Sequence, residues 1–278
     1  MNNCMVNFTT LEACTNSTTN SVSPLYMLEM CLHGFNFLVG LPTHSYVIWL
    51  IIVGSGSAFE FIILNLSVSE IGYCLNAVVT LLSFWFPRLL TLNQFLVGLI
   101  ITGRPLFQCL ICVERYLAVV HPVTFLKYKP LRYKVIGCTA AWILILGSCV
   151  ICMFTIISHS TVYMWFFLIQ FLLFFSIQLF CLVTVLRALK QTGPGERRRK
   201  RKEENNKMRR VIYLILITTA TLVVLYVPLT LTAVHSIVTK VMIQDVWFSA
   251  VICYVLAGFV QPVLYLNQSG KLSCLCSV

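Results

Sequence analysis

Residues 89–119 read LLTLNQFLVGLIITGRPLFQCLICVERYLAV, and this stretch decides how the chain folds. It is charged only at Arg104, Glu114 and Arg115, and it exceeds the roughly 20 apolar residues that a helix needs to cross a bilayer. Lipid offers no partners to backbone N–H and C=O groups, so a segment within it forms an α-helix or part of a closed barrel. Because the apolar run is long and unbroken, it indicates a helix.

The remainder of the chain repeats this pattern. Its 278 residues are 59% hydrophobic and 10% charged, with a mean hydropathy of +0.88, which is more apolar surface than a soluble domain could bury. The sequence therefore predicts an all-α fold, a seven-transmembrane helix bundle spanning residues 26–268. The predicted spans are 26–53, 58–84, 89–119, 134–158, 162–188, 210–237 and 246–267.

The distribution of positive charge predicts the orientation. Lys and Arg are absent from residues 1–87, whereas 17 of the 20 fall in 115–134, in 187–210 or after the last span. Positive residues remain cytoplasmic, so the N-terminus is expected outside the cell and the C-terminus inside. This gives an extracellular tail at 1–25, a third cytoplasmic loop at about 189–208 and a short cytoplasmic tail at 269–278.

The net charge of +11 is thus predicted to belong to the cytoplasmic face. The basic run 197–202 is expected to attract anionic inner-leaflet lipids, or an acidic protein partner. Because that run is tethered between two membrane helices, a nuclear-localisation signal is disfavoured, and we expect no nucleic-acid partner.

The N-terminal tail carries two acceptor sequences for N-glycosylation. Asn7-Phe8-Thr9 and Asn16-Ser17-Thr18 both match the acceptor pattern, so Asn7 and Asn16 are predicted to carry glycans. No basic segment precedes the first apolar run, and we expect the first span to act as its own insertion signal. The expected location is the plasma membrane, with multiple crossings.

Most of the thirteen cysteines lie inside the predicted spans, where a thiol behaves as a small apolar side chain. Cys4 and Cys14 lie in the extracellular tail and could pair with each other. Cys274 and Cys276 follow the last span, where cysteines are candidates for palmitoylation; plain free thiols are the equal alternative.

Arg104 places a cation in the middle of the third span. It precedes Arg115 by eleven residues, about three helical turns, so both side chains point towards the bundle interior. Glu70 in the second span lies at a similar depth, with His44 and Gln261 in the same layer. A lone charge there costs about 2.5–3.5 kcal/mol, so we predict a Glu70–Arg104 ion pair. The alternative is that Arg104 reaches a water pocket and Glu70 is protonated.

Several motifs then fall in a fixed order along the chain. Glu114-Arg115-Tyr116 ends the third span, and this set as a whole resembles the rhodopsin-like (class A) G-protein-coupled receptors over about 26–268. The first and third spans are most similar to the branch that holds nucleotide and protease-activated receptors, and the chain resembles a divergent, orphan-type member. The other motifs are Gly40-Leu41-Pro42, Leu64-Asn65-Leu66-Ser67, Trp142, Pro228, Pro262 and Tyr265.

The resemblance implies a receptor that passes an extracellular or membrane-borne signal to a heterotrimeric G protein. It implies that Glu114 holds Arg115 at rest and that movement of the sixth span releases it. In the family, the layer around Glu70 binds a sodium ion, and here the guanidinium of Arg104 is expected to stand in for that ion. The implied switch residues are Glu114, Arg115, Tyr116, Pro262 and Tyr265.

Motif-to-motif offsets predict a ligand pocket between the spans. Because Val97 offers no carboxylate, we expect a neutral or lipid-like ligand rather than an amine. The pocket is predicted to be lined by Gln94, Val97, Ile101, Phe166, Gln170, Tyr226, Thr230, Trp247 and Val251.

The chain also departs from the family. Phe174 and Leu182 replace the proline and tyrosine of the fifth span, and Leu90 replaces the cysteine of the outer disulfide. The acid that restrains Arg115 from the sixth span is missing, since basic residues occupy 207–210, and we therefore predict raised basal signalling. His44, Glu70, Tyr226 and Gln261 are the further substitutions.

Three other functions remain open. An enzyme is disfavoured because the sequence has no paired outward carboxylates, no metal-ligand spacing and no phosphate loop, and no cofactor or metal is expected. A transporter could use the buried charges as an ion pathway, but transporters usually contain internal repeats, and this sequence has none. A degenerate receptor relative that does not signal is the third alternative.

Overall fold

The computed structural model describes residues 24–54, 60–83, 85–121, 123, 125, 131–158, 160–191, 198–239 and 244–268. Tyr226 and Trp247 lie in helices for which only the backbone is described at those positions. All regular structure in the described ranges is helical, which confirms the all-α prediction. The helices are α1 (Pro24–Phe35), a π-helix (Asn36–Gly40), α2 (Leu41–Val53), α3 (Glu60–Ser83), α4 (Leu89–Val120), α5 (Leu131–Ser158), α6 (Ser160–Gln191), α7 (Arg198–Thr239), α8 (Gln244–Gly258) and α9 (Val260–Gln268).

Five of these helical segments are long and apolar enough to cross a membrane. They are Met27–Val53, Glu60–Ser83, Leu89–Val120, Leu131–Thr155 and Val162–Ala188, and they correspond closely to the first five predicted spans. The sixth and seventh predicted spans fall in α7 and in α8 with α9. Among the described residues these contribute the shorter apolar segments Thr230–Thr239 and Val251–Asn267.

The outer surface of the bundle is apolar. Leu38 is 71% exposed, Ile52 69%, Ile143 65% and Leu231 63%, and these aliphatic side chains come from four different helices. Soluble monomers rarely expose large contiguous apolar surfaces, because water disfavours them. This surface therefore suits lipid, in keeping with a multi-pass membrane protein.

The first predicted span is divided by a turn of π-helix. Pro42 has no N–H to donate, so the regular ladder of helical hydrogen bonds is interrupted just before it. The turn brings Gly40 against α3, where an added Cβ would lie 2.8 Å from the sulfur of Cys74. The span was predicted to be one continuous helix, and the π turn corrects that prediction.

Helix α4 lies at the centre of the bundle and packs against α3, α5, α6 and α7. Gly98 allows α5 to approach closely, because a Cβ there would overlap the backbone of Cys149. Further along α4, Phe107 is fully buried, and its ring packs edge-on against Trp142 with centroids 5.7 Å apart. Helix α4, which carries Arg104 and Arg115, is thus held by neighbouring helices on several sides.

Candidate functional site

Arg104 and Glu70 form a buried ion pair between α4 and α3. Their side chains are almost inaccessible, with residue exposures of 2% and 4%. The Nε atom of Arg104 lies 2.5 Å from Oε1 of Glu70, and Nη2 lies 2.6 Å from Oε2. This two-point contact suits the planar guanidinium and is among the stronger hydrogen-bonded ion pairs. The predicted pair is therefore present, and Arg104 is buried rather than extended to solvent.

A third contact joins the pair to α8. The Nη1 atom of Arg104 donates a hydrogen bond of 2.6 Å to the backbone carbonyl of Tyr254. A carbonyl that accepts from a cation is itself held in position, so Arg104 fixes α3, α4 and α8 relative to one another. The sequence analysis did not identify this partner.

Two tyrosine rings cover the guanidinium. The Cζ atom of Arg104 lies 4.1 Å from the ring centroid of Tyr254 and 5.6 Å from that of Tyr73. The two rings meet edge to face at 5.1 Å, and the hydroxyl of Tyr254 donates to the carbonyl of Ile100 at 2.7 Å. A cation over an aromatic face is stabilised by the ring quadrupole. One feature of the sequence indicates this contact: Tyr73 follows Glu70 by three residues on the same helix face.

Gly258 provides the space that the guanidinium occupies. A Cβ at this position would lie 2.7 Å from Nη2 of Arg104 and 3.5 Å from Oε2 of Glu70. The absence of a side chain at Gly258 therefore leaves room in this layer for the large guanidinium.

The two other members of the predicted polar layer are buried but differ in their contacts. Gln261 donates from Nε2 to the hydroxyl oxygen of Thr218 at 3.2 Å, so it joins α9 to α7. His44 is 3% exposed and close enough to Glu70 and Arg104 to interact with both charges. Its Nδ1 atom has no hydrogen-bond partner among the described residues.

A cavity of about 310 Å³ lies directly beyond the tyrosine rings. It opens between α1, the N-terminal parts of α4 and α6 and the C-terminal part of α3, which we call the cavity end of the bundle. Tyr73 and Tyr254 belong both to its wall and to the surroundings of Arg104. The lining residues are Glu29, His33, Tyr73, Asn76, Thr80, Leu90, Asn93, Gln94, Val97, Ile100, Ile101, Tyr163, Met164, Phe167, Thr232, Ala233, Val251 and Tyr254.

Four of the predicted pocket residues line this cavity: Gln94, Val97, Ile101 and Val251. All three of the predicted α4 residues are in the lining, because the Glu114-Arg115-Tyr116 motif fixes the register of that helix. On α1 the sequence analysis missed Glu29 and His33, since it used no reference position there.

The predicted pocket residues Phe166, Gln170 and Thr230, on α6 and α7, are not in the lining of this cavity. Phe166 packs in an apolar cluster, the amide oxygen of Gln170 accepts from Thr102 at 3.0 Å, and Thr230 donates to the carbonyl of Val227 at 2.9 Å. The side chains of Tyr226 and Trp247 lie outside the described residues. The cavity is lined from these helices by Tyr163, Met164, Phe167, Thr232 and Ala233 instead.

The other end of α4 carries Glu114 and Arg115, and we call it the Arg115 end. The carboxylate of Glu114 forms an ion pair with the Nζ atom of Lys134 near the start of α5. The sequence analysis assigned Glu114 to Arg115 and did not predict this partner. Arg115 itself is 8% exposed.

Tyr116 and Tyr265 also lie at this end. The hydroxyl of Tyr116 is 3.2 Å from Nε2 of His121, and its ring packs against a small core that includes Leu182. Tyr265 is buried in the larger core cluster, together with Val47 and Leu66. Leu182 therefore contributes apolar packing where the family has a tyrosine.

Several predictions fall outside the described residues. These are the glycosylation sites Asn7 and Asn16, the cysteines Cys274 and Cys276, and the side chains of the basic run 197–202.

Comparison with known proteins gives a distant similarity. No family model matches the chain. The Mas-related G-protein coupled receptor member A1 of Mus musculus is 28% identical over 121 residues, which cover 41% of this chain and 40% of that protein. Member A6, also from Mus musculus, is 29% identical over 122 residues, with the same coverage. The chain thus spans about two fifths of the length of these relatives, and the similarity supports a relationship to class A G-protein-coupled receptors.

Proposed function

We propose that this chain is a seven-span receptor of the plasma membrane that passes a signal to heterotrimeric G proteins. Its N-terminus is extracellular and its C-terminus cytoplasmic, so the cavity end faces outwards and the Arg115 end faces the cytosol. One observation carries the proposal: the tyrosines that line the cavity also hold Arg104, and Arg104 and Arg115 share one helix. An event in the cavity can therefore be transmitted along α4.

The buried ion pair is the element that responds to the ligand. Arg104 is held by Glu70 on α3 and by the carbonyl of Tyr254 on α8. A ligand that displaces the ring of Tyr254 also moves the carbonyl of that residue, and the hydrogen bond to Arg104 weakens. As the resemblance implies, the guanidinium takes the place of a bound cation and stabilises the resting state.

The Gln261–Thr218 hydrogen bond links this layer to α7, which contains the sixth predicted span. Outward movement of α7 requires this bond to break, and it uncovers the inner end of α4. Arg115 then contacts the G protein, with Tyr116, Pro262 and Tyr265 repacking around it. The basic run 197–202 favours anionic inner-leaflet lipids near the same face.

The Glu114–Lys134 ion pair belongs to the resting state in this proposal. With its carboxylate held by α5, Glu114 restrains Arg115 less than it does in the family, and the inner end of the sixth span supplies no acid. We therefore expect basal signalling above background.

The test is a G-protein activation panel on the wild type, Arg115→Ala and Arg132→Ala. Arg132 is an exposed arginine near the same end, close to the ring of Tyr133, and serves as the matched control. Basal activity should be lost in Arg115→Ala and kept in Arg132→Ala, at equal surface expression. Background activity in all three, across every G-protein class, would favour the degenerate, non-signalling relative.

A further inference from the structure

Three buried polar side chains that line the cavity each have an atom without a hydrogen-bond partner in the described part of the chain. These atoms are Oδ1 of Asn76, Oε1 of Gln94 and Nδ1 of His33, and the residues are 4%, 5% and 8% exposed. Buried polar atoms are normally paired, because leaving one unpaired after desolvation costs free energy. Their convergence on one cavity indicates a site that a ligand completes.

Three of the five hydroxyl groups in the lining donate to other groups of the protein. Thr80 directs its hydroxyl to the carbonyl of Asn76 and to Oδ1 of Asn93, at 2.9 and 3.0 Å. Thr232 donates to the carbonyl of Pro228, and Tyr254 donates to that of Ile100. These three hydroxyl groups are therefore already used within the protein. The complementary ligand supplies N–H or O–H donors.

The charge of the lining favours a cation. Glu29 brings a carboxylate to the cavity wall, with its side chain 38% exposed and Oε1 4.0 Å from Nε2 of His33. Among the described residues the lining contains no lysine or arginine, and Arg104 below it is neutralised by Glu70. Among the described residues of the lining, Glu29 is the only carboxylate, so its charge favours a cationic ligand over an anionic one.

The rest of the wall is apolar, with Val97, Ile100, Met164, Phe167 and Ala233 contributing to it. The volume of about 310 Å³ lies at the small end of the range for ligand pockets, about 300–1,000 Å³. A compact hydrophobic group fits this part of the cavity and would reach the rings of Tyr73 and Tyr254.

We infer that the cavity binds a small amphipathic amine, with its ammonium group against Glu29 and its apolar body against Met164 and Phe167. The N–H groups donate to Gln94, Asn76 and His33. This revises the expectation of a neutral ligand, which considered only Val97 on α4 and not the carboxylate that α1 brings to the same cavity. The inference rests on the proposed function, in which the cavity is the site that receives the signal.

The test measures the melting temperature of the purified full chain in lipid nanodiscs with three matched probes. 2-Phenylethylamine, 2-phenylethanol and 3-phenylpropionate share the same aromatic body and differ in the charge of the polar group. The amine should stabilise the wild type most and the carboxylate least. In Glu29→Gln the apparent affinity for the amine should fall about tenfold or more, while that for the alcohol is unchanged. Glu60→Gln, which alters a carboxylate at the start of α3, should bind the amine as the wild type does.

Equal stabilisation by amine and alcohol in the wild type overturns the inference, as does an unchanged amine affinity in Glu29→Gln or the absence of any shift with the amine. If Glu29→Gln does not fold, Gln94→Leu removes an acceptor instead; it should weaken both the amine and the alcohol, because both carry a donor, and leave the amine the tighter of the two. Because binding is measured without a G protein, an absence of amine binding would not contradict the proposed function. Amine binding together with a silent activation panel would instead reject the proposed function.

Discussion

The two arginines of α4 lie eleven residues apart on one helix face and have different surroundings. Arg104 is enclosed by a carboxylate, a backbone carbonyl and two aromatic rings. Arg115 has a glutamate beside it in the sequence, but that carboxylate pairs with Lys134 on another helix. Arg104 therefore joins three helices, whereas Arg115 lies 8% exposed at the other end of α4, where we propose that it contacts the G protein once α7 has moved. The following predictions test that contrast, from the largest expected effect to the smallest.

Replacing Arg104 with leucine should have the largest effect. The change strands the Glu70 carboxylate in a buried site, and breaking a buried ion pair in this way costs about 3–5 kcal/mol. We expect a large fall in the melting temperature of the purified protein and in its surface expression.

Arg132→Leu is the control for that substitution, because Arg132 is exposed. It should change the free energy of unfolding by no more than about 0.5 kcal/mol. Similar losses in both variants would mean that Arg104 contributes no more than a surface arginine.

Gly258→Ala should have an intermediate effect. The new methyl group would lie 2.7 Å from Nη2 of Arg104, so the guanidinium must shift away from Glu70 or from Tyr254. Overpacking of this kind typically costs about 1–3 kcal/mol. Melting temperature measures the loss, and Gly137→Ala is the matched control, since nothing lies within 4 Å of a Cβ there. Equal melting temperatures for the two variants would show that the guanidinium is not tightly confined.

Lys134→Ala should affect signalling more than stability. It removes the ion-pair partner of Glu114, a partly buried contact, so the carboxylate becomes available to Arg115. We expect basal G-protein activation to fall about two- to fivefold, because Glu114 can then hold Arg115 more strongly in the resting state. Arg132→Ala, which leaves the pair intact, should signal as the wild type does. Unchanged or increased activity in Lys134→Ala would contradict the assigned role of this pair.

Thr218→Val should have the smallest effect. It removes the oxygen that accepts from Gln261, and a single hydrogen bond contributes about 0.5–1.5 kcal/mol. Basal activation should rise about twofold, because α7 is then less firmly joined to α9. Thr221→Val is the control, since that hydroxyl bonds the Ile217 carbonyl of its own helix at 2.7 Å. An equal rise in basal activation in both variants would rule out a specific role for the Gln261–Thr218 hydrogen bond between α9 and α7.

The sequence was sufficient to predict the ion pair, because helical geometry alone places Glu70 and Arg104 at one depth. The cost of an unpaired charge in lipid then makes their contact the expected result. The first five spans were predictable for a similar reason, since hydropathy indicates which segments are apolar enough to lie in lipid. The seven-span arrangement and the orientation remain predictions.

Contacts between helices that depend on how the helices are rotated about their axes could not be predicted from the sequence. The α6 part of the cavity was misassigned because Phe174 and Leu182 stand where a proline and a tyrosine would have fixed the register. Lys134 was missed as the partner of Glu114, since that contact depends on where α5 begins after a loop. Glu29 was missed because nothing in the sequence of α1 shows which of its faces meets α3 and α8.

The central claim is that Glu70 and Arg104 neutralise one another in the middle of the bundle. A double-mutant cycle on the melting temperature tests it most directly, with Glu70→Leu, Arg104→Leu and the variant that carries both. We predict that the double variant melts at a higher temperature than either single variant, because it leaves no stranded charge. A double variant whose loss equals the sum of the two single losses would contradict the claim.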